Sequence, residues 1–321
     1  MCWRKLVAIA ALLVTAGVYA QSDYPSKPIR ILLPFSPGGA GDLLGRLAGQ
    51  RLQESWGAQV VVEPRPGAGG IVATELAAKA PADGYTLLIV TVGHAVNPSL
   101  YSKLPYDTLK DLVPVALVAR VPSVLVVHPS VPAKNAKELI TLARSKPGEL
   151  NYGTGGVATT AHVSAALLSS MTGIRMTHVP YKGAPVALLD LVGGRLDLMV
   201  DQILSSLPYV SSGRLRALAV TPAKRTPLLP HVPTLAESAV PGYEFTAWWM
   251  IAAPAKTPPQ ILERLNAELQ KVGGDAAYRD RLAKLGADPA PPLGTAHAAA
   301  FLKSEIERWA KVVKAANIKV E

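Results

Sequence analysis

The chain has 321 residues, with 33 Lys and Arg against 23 Asp and Glu, and a single cysteine, Cys2. One cysteine excludes a disulfide framework, and a chain of about 300 residues buries a core large enough to do without one, as one domain or two. The basic residues are scattered, with no block of five or six, so the positive balance reads as solvated faces that mildly attract anionic solutes rather than as a nucleic-acid tract.

Taken in chain order, the first segment sets the compartment. Arg4 and Lys5 precede an apolar run from Leu6 to Val18 that ends in Val18-Tyr19-Ala20. A basic start, a short apolar run and a small residue at its end describe a secretory signal peptide, here 1–20, cleaved near Ala20. The run falls short of the roughly 20 apolar residues of a membrane span, and no cysteine follows it to carry a lipid, so the mature chain is expected to be exported and free. Cleavage removes Cys2, and with it any thiol nucleophile or cysteine metal site. Losing Arg4 and Lys5 also leaves 31 basic and 23 acidic residues, a net charge of +8.

From there, apolar runs of strand length alternate with amphipathic segments, the pattern of an α/β protein with a largely parallel sheet. Strands are expected at 29–35, 59–63, 86–91, 113–118, 123–128, 151–153, 176–179, 196–200, 215–220 and 247–252. Helices are expected at 42–56, 71–80, 134–145, 160–171, 184–192, 258–271 and 295–316. In the last helix Phe301, Ile306, Trp309, Val312 and Val313 lie near one face and should dock it. Two segments look like crossings between lobes. "LVARVPSVLVVHP" (117–129) joins two strand-like runs through Val121-Pro122, and "GYEFTAWWMIAAPAKTPP" (242–259) returns. Residues 24–121 with 247–321 would form one lobe and 122–246 an inserted second lobe, with a ligand between them.

The stretch "PFSPGGAGDLLGRLA" (34–48) is a glycine turn between a strand and a helix. It lacks the Gly-Lys-Ser/Thr of a P-loop, and Gly39, Gly41 and Gly45 give G-x-G-x-x-x-G, one residue too long for the dinucleotide fingerprint. The arrangement recurs in "NYGTGGVATTAH" (151–162), where Thr154, Thr159 and Thr160 add hydroxyls. Each turn presents backbone N–H groups at the positive end of a helix, a place that receives anions. Two such loops facing one cleft would hold a ligand with one or two carboxylates without an arginine. Asp42 is expected to cap its own turn. A third glycine loop, "EPRPGAGG" (63–70), reads as a plain turn.

The ordered set "PFSPGGAGD" (34–42), "EPRPGAGG" (63–70), "PADGYTLL" (81–88), "HAVNPSLY" (94–101), "NYGTGGVATTAH" (151–162), "HVPYKGAPVALLDLVGGRLDLMVD" (178–201), "GRLRALAVTPAKRTPLLPHVPTLAE" (213–237) and "GYEFTAWW" (242–249) resembles the Bug family. These are TctC-like periplasmic receptors of tripartite tricarboxylate transporters. The resemblance runs from Tyr24 to the C-terminus. It implies a two-lobe type II periplasmic-binding (Venus flytrap) fold with two interlobe crossings, and a carboxylate held by backbone groups and ordered water. Carried over, the first site is Phe35, Ser36, Pro37, Gly38, Gly39, Ala40 and Asp42. The second is Thr154, Gly155, Gly156, Thr159 and His162, with Tyr181, Lys182, Gly183 and Asp201 nearby. It also implies a periplasmic protein working with TctA/TctB-like membrane subunits, or alternatively signalling through a sensor kinase. The chain departs from the family's habit at Gly41, where Thr or Ser is usual, and at Ala158, where Gly is usual.

Other chemistry finds no constellation. The six histidines lack H-x-x-x-H or H-E-x-x-H spacing, no G-x-S-x-G is present, and Ser205 and Ser206 have no histidine partner in the pattern. His162, in the first turn of its helix, would orient the loop or reach the ligand. Trp248 and Trp249 are expected to pack at the crossing, where one could line the cleft. No cofactor, metal, nucleic acid or catalytic role is expected, and the chain should act as a monomer.

Overall fold

The computed structural model describes residues 24–315 and Ile318, so the expected signal peptide lies outside the described residues. The first lobe opens with β1 (Ile29–Leu33), α1 (Ala40–Trp56), β2 (Val60–Pro64), α2 (Ile71–Ala78), β3 (Thr86–Thr91) and α3 (Val92–Leu100). Strands β1, β2 and β3 pair in parallel with β1 central. Every side chain of β3 is buried, as a strand covered on both faces requires. Helix α1 buries Leu44, Leu47, Ala48 and Leu52, a stripe at helical spacing that seats it against this sheet.

Two long strands then connect the lobes. Strand β4 (Leu112–Val127) pairs antiparallel with β9 (Thr246–Pro254) along Leu112 to Pro122. From Ser123 to Val127 it pairs instead with β7 (Leu198–Gln202), and also with β8 (Arg216–Val220). The strands expected at 113–118 and 123–128 are therefore one. Pro122 ends the pairing with β9, and Ser123 begins the pairing with β7, so the residue without an N–H sits where the strand changes partner. Beyond the switch, Val124 and Val126 feed a small core of the second lobe while Leu125 and Val127 face the main core, the period of two that a strand imposes.

The second lobe repeats the first. It contains α4 (Ala136–Ser145), β5 (Asn151–Thr154), α5 (Thr160–Thr172), β6 (Thr177–Pro180), α6 (Ala184–Val192) and α7 (Ile203–Ser211), with β7, β5 and β6 parallel. After β8 and the short α8 (Leu235–Ser238), β9 returns to the first lobe, antiparallel to β3. The chain closes with α9 (Pro259–Gly274), α10 (Ala276–Lys284), the short β10 (Asp288–Pro289) on β4, and α11 (Thr295–Ala315). The overall order is β2-β1-β3-β9-β4-β7-β5-β6. Two parallel α/β halves joined by two antiparallel strands make the two-lobe type II fold with two crossings.

Three departures from the sequence reading have local causes. Helices α3 and α7 were not expected, and each contains a proline, Pro98 and Pro208. Helix α3 is started by Thr91, whose Oγ1 accepts from the Gly93 N–H while His94 Nδ1 accepts from the Thr91 N–H. Helix α10 begins on Asp275, whose side chain accepts from the N–H groups of Ala277 and Tyr278. In α11 the buried stripe is Ala298, Leu302, Glu305, Trp309 and Val313, with Phe301, Ile306 and Val312 only partly covered. Glu305 is tolerated there because its Oε2 accepts from the indoles of Trp248 (2.7 Å) and Trp309 (3.0 Å).

Candidate functional site

The loop between β1 and α1 is set by its own residues. Gly38 takes φ +86°, a conformation that a side chain would strain, and its N–H donates to Asp42 Oδ2 at 3.0 Å. Asp42 Oδ1 lies 2.9 Å from Arg46 Nε, so the carboxylate is occupied from both sides and does not repel an anion freely. The N-cap residue Gly39 offers no side-chain acceptor, which leaves first-turn N–H groups of α1 open toward the cleft.

The loop between β5 and α5 is built the same way. Its N-cap, Thr159, does not cap its own helix; the hydroxyl donates to the Gly156 carbonyl at 2.7 Å. Thr154 Oγ1 accepts from the Gly156 N–H at 3.1 Å and meets His178 Nε2 at 2.7 Å. Behind the loop, the rings of Tyr152, His178 and His162 form a stack with centroids 5.0 and 4.3 Å apart. His162 Nδ1 accepts from the Ala158 N–H at 3.2 Å, which requires a neutral ring. Burial holds its pKa down at about 4 and holds that of His178 down at about 3, where the neighbouring imidazole of His162 further disfavours a second proton on the stacked pair. Ala158 adopts φ +61°, so its methyl stands in a left-handed turn.

The two loops meet across the lobes. Ser36 Oγ donates to the Lys182 carbonyl at 2.6 Å, and a Cβ on Gly183 would stand 2.9 Å from Ser36 Cβ. Between them lies an inner cavity of about 510 Å³ including its mouth. Of the expected site residues, Phe35, Ser36, Gly39, Ala40, Asp42, Gly155, Thr159 and Asp201 line it. Gly156, Tyr181 and Lys182 instead line a wider outer cavity that shares Phe35, Ser36 and Gly155 with the inner one. Pro37 and Gly38 are exposed on the turn, Gly183 makes the close contact with Ser36, and Thr154 and His162 support the second loop from behind. Tyr181 donates to Asp190 Oδ2 at 2.8 Å.

Sequence reasoning left out Ala161, Ala184, Pro185, Gln202 and Ser205 from the lining, named Thr160 only as a hydroxyl of the second loop and Trp249 only as one of two candidates, and set Gly41 aside. Trp249 could be foreseen only as one of two candidates at the crossing. A Cβ on Gly41 would lie 2.6 and 2.9 Å from two carbons of its ring, so the indole occupies the space that a Thr or Ser side chain would need. The glycine loop 63–70 is also more than a turn. A Cβ on Gly69 would stand 2.5 Å from the Val157 carbonyl oxygen, and Gly67 to Gly70 line the outer cavity.

Electrostatically the inner cavity is unusual in what surrounds it. No Lys, Arg or His is among its lining residues, yet the N-termini of α1 and α5 open into it and α6 begins at its wall. Asp201, 3% exposed, accepts from Ser205 and Ser206 at 2.7 Å each through Oδ2. Burial raises its pKa, and these hydrogen bonds oppose the rise. Among the described residues, no His/Cys/Asp/Glu cluster is placed to hold a metal, and no helix is long and apolar enough to cross a membrane.

Two α/β lobes, two crossing strands and an interlobe cavity lined by loop backbone define a solute-binding receptor of the type II periplasmic class. Residues 44–318 match the tripartite tricarboxylate transporter family receptor, TctC, and the chain belongs to that family. It is 41% identical, over 97% of this chain and 93% of the other, to a UPF0065 protein of the tcbD-tcbE intergenic region of Pseudomonas sp. (strain P51). It is 37% identical to Protein BugT of Bordetella pertussis over 99% of each chain. Among solved structures it is similar to Rpa4515 of R. palustris with adipate, with a TM-score of 0.89 and 40% identity over 92% of this chain and 99% of that one. It is also similar to MatC of Rhodopseudomonas palustris with bound malate, with a TM-score of 0.86 and 32% identity over 90% of this chain and all of the other (100%).

Proposed function

We propose that the protein is an extracytoplasmic receptor that captures a small organic carboxylate between its lobes for delivery to a tripartite tricarboxylate-type membrane transporter. The observation that carries this reading is the convergence of the α1 and α5 N-termini, neither capped by a side chain, on one cavity whose lining has no cationic residue. Open N–H groups and helix dipoles favour an anion there. The adipate and malate complexes of Rpa4515 and MatC support a carboxylate as that anion.

In this reading Phe35, Ser36, Gly39, Ala40, Gly155, Thr159 and Asp201 surround the ligand directly. Pro37, Gly38, Asp42, Thr154, Gly156, His162, Tyr181, Lys182 and Gly183 hold the loops that do so. The lobes 24–121 plus 247–321 and 122–246 close on the ligand as a monomer, in the periplasm, and the closed face engages the membrane subunits. A ligand drives closure only by as much as it prefers the closed state.

The test is titration calorimetry of the purified mature protein against mono-, di- and tricarboxylates and amino acids, with sugars and nucleotides as controls. Carboxylates should bind and the controls should not; binding confined to sugars or nucleotides refutes the reading. Gly155→Val should abolish binding without unfolding the protein. Its Cβ would stand 2.9 Å from the Ala184 nitrogen and 3.2 Å from the Gly183 carbonyl carbon, crowding the second loop against the start of α6.

A further inference from the structure

We infer that Trp249 is a specificity-determining residue: seated over Gly41, its indole forms an apolar wall of the inner cavity that favours carboxylates with a bare alkyl or aryl body over their hydroxylated counterparts. The inference rests on the carboxylate reading above and names the ligand class within it. Three features fix the ring. Its Nε1–H donates to Gln202 Oε1 at 2.9 Å. The edge-to-face contact with Phe35 has centroids 6.0 Å apart and planes at 83°. The missing Cβ of Gly41 gives two ring carbons the room they occupy. At 3% exposure the ring is a wall of the cavity, closed off from bulk solvent.

The two acceptor oxygens nearest this wall are already engaged. Gln202 Oε1 is taken by the indole, and Asp201 Oδ2 accepts from both Ser205 and Ser206. A methylene or aryl face laid on the indole exchanges water for apolar contact, which is favourable. A hydroxyl turned to the indole face gives up its water against carbon and finds both of these oxygens already accepting, which is unfavourable. The result is discrimination by desolvation, set by one ring and the glycine that admits it.

The experiment is calorimetric titration with three pairs of acids that differ by one hydroxyl: adipate and 2-hydroxyadipate, succinate and malate, phenylacetate and mandelate. Wherever a pair binds, the bare acid should bind at least about tenfold tighter, about 1.4 kcal/mol. Gly41→Ser combined with Trp249→Asn should reduce that ratio to below about threefold, with thermal unfolding verifying that the variant is folded. Trp249→Asn alone serves if the double variant does not fold. Equal affinities within a pair, tighter binding of the hydroxylated member, or an unchanged ratio in a folded variant overturns the inference. If none of the six acids binds while sugars or nucleotides do, the carboxylate reading falls and takes this inference with it.

Discussion

Ser36→Ala isolates the contact that joins the two loops. The Ser36 hydroxyl spends its single proton on the Lys182 carbonyl at 2.6 Å, across the lobes, so it is not available as a donor to the ligand. A neutral hydrogen bond of this kind is worth about 1 kcal/mol net, and Lys182 is exposed, so water replaces the lost partner when the lobes part. The variant should therefore weaken the closed state alone and raise Kd about fivefold. Gly183→Ala is the control from the other lobe. It crowds the same contact, with its Cβ 2.9 Å from Ser36 Cβ, yet Gly183 does not line the inner cavity. Calorimetry gives Kd, thermal unfolding without ligand gives stability, and small-angle scattering with saturating ligand gives the degree of closure. Both variants should bind more weakly; the apo Tm should be unchanged in Ser36→Ala, while Gly183→Ala lowers it as well because Gly183 holds φ +155°. A Kd within twofold of wild type for both, or an apo Tm that falls by several degrees in Ser36→Ala, would show that the bond belongs to the fold and not to closure.

Acid should destabilise the protein through its buried histidines. His94 and His162 are held at about 4 by burial, below the ordinary 6.5, so the unfolded chain binds protons that the folded chain refuses. Stability is fully present above pH 6.5 and is lost as pH falls toward 4, by about 3 kcal/mol for His162 alone. Denaturant titrations at both ends of that window check it, and an unchanged midpoint would be contrary. Glu305→Ala should cost about 3 kcal/mol, because it leaves the buried indole N–H groups of Trp248 and Trp309 without their charged acceptor. Its Tm should fall while Kd stays put, and a Kd shift as large as that of Ser36→Ala would contradict the placement. Since the anion site is enclosed and uses fixed backbone donors, Kd should change by less than about threefold between roughly 50 and 500 mM salt. A steep salt dependence in calorimetry would instead implicate surface lysines and arginines.

The sequence made the repeated strand, glycine turn and helix legible because those features are local. Period-two and helical spacing, and glycines at the turns, fix β1 to α1 and β5 to α5 without reference to the rest of the chain. Helices α3 and α7 are short and each carries an internal proline, Pro98 and Pro208, which blurs the helical pattern in the sequence. In nine-residue helices one lost N–H is outweighed by burial of residues such as Val92, Val96, Ile203 and Leu204. The cavity wall was hidden for a different reason. Gly41 and Trp249 are far apart in the chain, as are Ser36 and Lys182, and no spacing rule links them. Only the pairing of β9 with β3 and β4 brings the indole beneath the first loop.

If the cavity takes an anion, as proposed, its lack of lysine and arginine asks what the fold gains from leaving them out. A buried guanidinium would need its desolvation offset even when no ligand is present, and the carboxylates on the cavity lining, Asp42 and Asp201, would draw it away from a ligand. Backbone donors avoid both effects, since they carry no net charge and lose no rotamer freedom when the ligand arrives. Their cost is that the loop must already be held in place. Asp42 does this in the first lobe by accepting from Gly38 while Arg46 neutralises it. In the second lobe the task falls to Thr154 and to the stack of Tyr152, His178 and His162, which fixes the Gly156 and Ala158 N–H groups. Under the proposed function, His162 would act on binding through the geometry of the loop, where its Nδ1 holds the Ala158 N–H. The first lobe brings one helix end without a side-chain cap to the cavity, that of α1, and the second brings two, those of α5 and α6, so under the proposed function a bound anion would complete the site only when the lobes are together.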